Sequence, residues 1–131
     1  MRYLVLMYGD EKVWPQLSPA EQQDYLRAHI AFAQAVRARA TMVAGEALAD
    51  TDAATTLRHE PATSAARGHG DRPVLTDGPF AETTEQLGGF YLVDADNLDV
   101  MAELCQELPH GYTVEIRPVI DMDDEMDPLR S

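Results

Sequence analysis

His29 stands in a stretch that reads SPAEQQDYLRAHIAFAQAVRARA, with Tyr25 four residues before it and Phe32 and Val36 three and seven after it. That spacing places the imidazole on the apolar stripe of a helix, where a group titrating near neutrality suits general acid–base work. The alternative is a core histidine whose ring is satisfied by a backbone carbonyl or a tyrosine. A second concentration of chemistry lies in DGPFAETTEQLGG, residues 77–89. Asp77-Gly78 is a turn signal and Pro79 removes a ladder donor, so the chain breaks sharply there. Phe80 is expected to anchor the next segment in a hydrophobic pocket. Thr83, Thr84 and Glu85 can bond their own backbone, and Gly88-Gly89 lets the chain pass close to a neighbour. A loop shaped in this way either walls a ligand pocket, with Asp77 and Glu82 as polar contacts, or locks a dimer. His29 and Asp77 are the catalytic candidates.

Glu46 in VAGEAL and Arg117 in VEIRPV are charges within strands. Each is either an edge residue or, where both face one cavity, a group that orients a polar substrate. Tyr3, Tyr8 and Tyr91 carry phenols on or near central strands; they are core fillers, with Tyr8 also a candidate binding contact. Tyr8, Glu46, Phe80, Glu82 and Arg117 therefore form the expected binding set. His59 and His69, near Glu60 and Asp71, lack the spacing of a zinc site, so no metal is expected. GHG at 68–70 is no phosphate loop, and neither a Rossmann fingerprint nor a G-x-S-x-G elbow occurs, so no cofactor is expected. Cys105 sits on an apolar helical stripe and reads as inert packing.

The elements that must position these groups are set by periodicity. RYLVLMY, residues 2–8, is apolar at both parities, as a strand buried on both faces would be. Ser18-Pro19-Ala20-Glu21 combines a capping box with proline at the first helical position and predicts a helix to about Ala40. TMVAGEAL, 41–48, is a second strand. From Ala49 to Arg72 only Leu57 is a large aliphatic, which allows a small hairpin arm of TTLRHE against PVLTD, with PATSAARGHGDR as a mobile turn. GGFYLVD, 88–94, is another strand apolar on both faces. Asp96 or Asn97 caps a second helix carrying Leu98, Met101, Cys105 and Leu108, which Pro109 stops. YTVEIRPVI, 112–120, is the last strand.

The order predicts an α+β, ferredoxin-like βαββαβ layout, with the hairpin arm inserted before the third core strand and both helices on one side of an antiparallel sheet. Residues 1–120 form the domain and 121–131 an acidic, disordered tail. Its first and third core strands are central, and these are the two that are apolar front and back. Two helices cover one face only, so the other is expected to meet the same face of a second copy in a homodimer.

A net charge of −13 argues against nucleic acid or an anionic membrane as partner. Five acids and a single arginine in DMDDEMDPLRS supply part of it. No run reaches the roughly eighteen apolar residues of a membrane span. The N-terminus lacks a signal-peptide cleavage site, and one cysteine excludes an internal disulfide, so a cytoplasmic protein is expected.

MRYLVLMYGDE, LSPAEQ, VAGEAL, VLTDGPFAETTEQLGGFYLVD and EIRPV together resemble the DGPF-motif branch of the YCII-related family, over residues 2–119. The resemblance implies a dimeric α+β barrel. It implies little about function: an enzymatic role has been suggested for the family, and some relatives are encoded beside extracytoplasmic-function sigma factors. Founding members are proposed to use a His–Asp pair, the His on the first helix and the Asp near the end of the second. His29 matches the first; the second position reads Leu108-Pro109-His110, without Asp. Two functions are open. One is a small-molecule binder or cofactor-independent acid–base enzyme, with a pocket for a small polar ligand between sheet and first helix. The other is a non-catalytic dimeric regulatory or sensing module, linked to such a sigma factor.

Overall fold

The computed structural model describes residues 1–61, 71–122 and Leu129. The turn at 62–70 and most of the acidic tail, both expected to be mobile, lie outside the described residues.

Four strands build the main antiparallel sheet: β1 (Arg2–Gly9), β2 (Thr41–Ala47), β5 (Gln86–Asp94) and β6 (Thr113–Pro118), in the order β2-β5-β1-β6. With α1 (Pro19–Arg39) and α2 (Leu98–Cys105) this is the mixed α+β arrangement the strand and helix order predicts, compatible with a ferredoxin-like fold. The two strands apolar at both parities, β1 and β5, are the central ones. A separate two-stranded sheet pairs β3 (Thr55–Glu60) with β4 (Arg72–Asp77), Leu57 opposite Leu75.

Side-chain alternation divides the main sheet. Tyr3, Val5 and Met7 of β1 join Val93 of β5 in one buried cluster with Phe32 and Val36 of α1 and Met101, Leu104 and Leu108 from α2 and the turn after it. The opposite parity carries Leu4, Leu6, Phe90 and Leu92, which are half-buried. The helices therefore protect one face, and the other keeps an apolar centre without a helix over it among the described residues.

Local chemistry sets the helix ends. The Glu21 N–H donates to Ser18 Oγ at 3.2 Å, and the Ser18 N–H donates to the Glu21 carboxylate at 3.0 Å, closing the capping box. Asn97, rather than Asp96, caps α2 by accepting from the Val100 N–H at 3.0 Å. The helix ends at Cys105, before Pro109 can act. Gln106, Glu107 and Leu108 instead donate to carbonyls three residues back, tightening the last turn. On α1, Phe32 and Val36 are buried as the stripe requires, but Leu26 and Ile30 beside it are exposed. Cys105 is half-buried, and burial pushes its thiol up to about 11, out of the reactive range. No helix of the described residues is long and apolar enough to cross a membrane.

Candidate functional site

His29 emerges from α1 one turn before the buried Phe32 and meets two phenols. Its Nδ1 lies 2.7 Å from Tyr91 Oη and its Nε2 3.5 Å from Tyr112 Oη. Tyr91 comes from the middle of β5, where its ring packs on Phe32 with centroids 4.7 Å apart. Gly45, its partner on β2, makes that position possible: a Cβ there would stand 2.5 Å from the ring. Tyr112 leads into β6 from the turn after α2, its N–H donating to the Pro109 carbonyl. Beyond it Tyr25, one turn before His29 on α1, stands edge-on to Tyr112 at 5.6 Å and to Trp14 at 5.9 Å. Gly111 gives the Tyr25 hydroxyl its room, since a Cβ at 111 would collide with it.

These groups border a cavity of about 740 Å³ between the sheet, α1 and the loops that follow β1 and β2. Glu11 ties those two loops together. Its carboxylate accepts from the Thr51 N–H at 2.6 Å and the Thr51 hydroxyl at 2.7 Å. Among the described residues the charged ones around the cavity are Asp10, Glu11, Glu46 and Asp50, with no lysine or arginine.

Partial burial sets the protonation states. Desolvation holds the His29 pKa below the ordinary imidazole value, so the ring is neutral at pH 7. Burial raises the phenols of Tyr91 and Tyr112, reinforced by Tyr112 on the first and by Tyr25 on the second. A neutral imidazole thus sits between two protonated phenols. Each phenol can donate or accept, so the pair supports either tautomer of the ring, and either nitrogen can hold or release a proton.

The other residues singled out by sequence are distributed over three places. Glu46 borders the cavity, yet its register opposite Phe90 turns its side chain to the far face of the sheet. Tyr8 and Arg117 meet on that far face. The Tyr8 hydroxyl donates to Glu115 at 3.2 Å, and the Arg117 guanidinium donates to the same carboxylate at 2.6 Å. Arg117, by its hydrogen bond, holds the Glu115 carboxyl below its usual range. Asp77, Phe80 and Glu82 lie along the arm and the loop after it, away from the residues that line the cavity.

That loop satisfies itself. Gln86 Nε2 donates to the carbonyls of Ala81 and Thr83, and the Thr83 hydroxyl donates to that of Glu85. Gly78, at φ 101°, takes the left-handed turn, and its N–H reaches the Ala54 carbonyl at 2.7 Å. Phe80 fills no pocket: it is 75% exposed, with the Arg58 guanidinium 4.9 Å over its ring. Among the described residues no group of three or more His, Cys, Asp or Glu side chains is placed to hold a metal ion.

Sequence reasoning did not assemble Trp14, Tyr25 and Tyr112 around His29. Tyr25 carried a signal, since it shares the imidazole's stripe at i−4. Trp14 and Tyr112 lie in connecting segments, where periodicity says nothing about direction.

The profile of the YCII-related domain matches residues 1–123. An uncharacterized protein of Rhizobium meliloti (strain 1021) is 34% identical over 123 residues, covering 91% of this chain and 92% of the relative. The match spans every strand and helix that positions the imidazole and its two phenols. The chain belongs to the YCII-related family.

Proposed function

We propose that the protein binds a small molecule in the cavity between sheet and α1 and acts on it by acid–base chemistry at His29, without a tightly held cofactor. The observation that carries this reading is the His29 imidazole at the wall of a cavity of about 740 Å³, hydrogen-bonded on one nitrogen to Tyr91 at 2.7 Å. A merely packed histidine would have atoms on all sides. Here the ring borders open volume, and the Tyr91 phenol steadies it without neutralising its chemistry. Tyr112, at 3.5 Å from the other nitrogen, makes a long and weak hydrogen bond that a ligand atom could displace.

The functional unit is a homodimer forming a two-subunit α+β barrel. Support comes from the uncovered sheet face with Leu4, Leu6, Phe90 and Leu92 at its centre, which a second copy would shield by two-fold symmetry. Tyr8, Glu115 and Arg117 then belong to the rim of that interface rather than to the cavity. The run from Thr76 to Tyr91 supports the DGPF-motif branch within the family.

A fragment screen read by NMR at the His29 ring tests the binding half of the reading. Ligands that enter the cavity move the His29 and Tyr91 resonances together. If a broad library of neutral, anionic and cationic fragments leaves both unmoved, the cavity is no ligand site and the regulatory-module reading takes its place.

A further inference from the structure

The cavity's chemistry narrows what it can hold. Trp14, Tyr25 and Tyr112 follow one another with centroids 5.9 and 5.6 Å apart and interplanar angles of 81° and 77°. Each ring therefore stands nearly perpendicular to the next, edge to face. All three line the cavity, and Trp14 is 43% exposed, within reach of an entering ligand. An aromatic face that borders the cavity attracts a cation.

The fixed charges agree. Asp10, Glu11 and Asp50 lie together where the loops after β1 and β2 are joined through the Glu11–Thr51 bonds. Asp10 accepts from the Lys12 N–H through one oxygen, and Asp50 precedes the short turn at Thr51–Ala53 without its side chain capping it. Among the described residues no lysine or arginine lines the cavity to receive an anion. Deeper in, burial holds the His29 pKa below the ordinary imidazole value, which favours the uncharged ring beside an ammonium ligand.

We propose that this cavity takes an organic ammonium ion: the charged nitrogen sits among Trp14, Tyr25 and Tyr112 beside the acidic loops, and its apolar or aromatic body extends toward Met7, Tyr91 and His29. The proposal rests on the reading of the cavity as a ligand site and adds the class of ligand. An amine body placed there would present its polar or acidic C–H positions to the imidazole.

Calorimetry on the full chain with three probes tests it, with the Trp14 and His29 resonances followed in parallel. The probes are benzyltrimethylammonium, benzyl alcohol and phenylacetate, which share a ring and differ in charge. The proposal expects the cation to bind about tenfold tighter than either counterpart. Trp14→Leu and Asp50→Asn, both at accessible positions, should each lower the cation's affinity several-fold and leave benzyl alcohol within about twofold. Benzyl alcohol or phenylacetate binding as tightly as the cation overturns the proposal while leaving a ligand site in place. A cation preference that neither variant reduces also overturns it, because the ammonium would then be held elsewhere. Silence of all three probes at both resonances removes the proposal, whereas the ligand-site reading falls only if the broad fragment library is silent as well.

Discussion

His29 on α1 and Tyr91 on β5 are 62 residues apart in sequence, yet Nδ1 and Oη stand 2.7 Å from each other. The contact needs three things at once: a helix whose stripe faces the sheet, a central strand with the right parity, and a neighbouring strand without a side chain at Gly45. Phe32, fully buried one turn after His29, holds the Tyr91 ring from below. The imidazole is thus positioned by the core itself, while its other nitrogen stands 3.5 Å from Tyr112 Oη at the wall of the cavity.

Gly45→Ala tests the steric part of this arrangement. Its Cβ would meet Tyr91 Cδ1 at 2.5 Å, a ring atom seated in the core, so strand or ring must move. The expected cost is about 1–3 kcal/mol, with loss of the His29–Tyr91 bond visible as a shift of the imidazole resonances. Gly111→Ala is the contrast. Its Cβ meets only the far end of Tyr25, which can swing, so stability should change by well under that amount while Tyr25 moves. Equal costs for the two variants would contradict the placement of Tyr91.

The pH dependence of stability has a definite sign at His29. Burial lowers its folded pKa below the ordinary imidazole value of 6.5, so the unfolded chain binds the proton more readily. Stability from this group is present above about pH 6.5 and is lost as the pH falls through the depressed folded value. Denaturant titrations between about pH 7.5 and 5 should show wild type weakening more steeply than His29→Leu over the lower part of that window. Parallel slopes would mean that the imidazole titrates alike in both states.

Much of this architecture was legible before any coordinates. The capping box at Ser18–Glu21, the two strands apolar at both parities and the hairpin pairing of 55–60 with 73–77 all rest on local chemistry, and they appear where that chemistry puts them. The second arm strand starts one residue earlier, at Arg72. Which face of β1 the helices choose was not legible, because Tyr3-Val5-Met7 and Leu4-Leu6-Tyr8 are equally apolar. That one ambiguity decides whether Tyr8 and Arg117 share a side with His29; they do not. The loop after Asp77 announced a shaped turn that bonds its own backbone, but composition could not tell whether it walls a pocket or locks a dimer. Trp14 and Tyr112 escaped for a similar reason, since aromatic residues in connections have no period to reveal their direction.

Phe32→Ala probes the support beneath the site. The side chain is fully buried between α1 and the sheet and touches Tyr91, so its removal leaves a cavity under the ring. A loss of about 3–5 kcal/mol is expected in denaturant unfolding. A loss below about 1 kcal/mol would show that the ring is held by other contacts.

The uncovered sheet face makes a prediction about assembly. Leu6, central on β1 and opposite Phe90, should lie at the heart of the two-fold interface. Light scattering after gel filtration is expected to return twice the chain mass for wild type at micromolar concentration and the single-chain mass for Leu6→Glu. A monomeric wild type would leave that face without the cover proposed for it.

The decisive measurement is a ¹⁵N NMR pH titration of the His29 ring in wild type and Tyr91→Phe. A solvent-open imidazole steadied by one phenol should titrate fully and reversibly below 6.5, with its tautomer balance altered once the Tyr91 hydroxyl is gone. A ring that keeps one protonation state down to the acid limit of folding, or one whose tautomers ignore Tyr91→Phe, would contradict acid–base chemistry at this site.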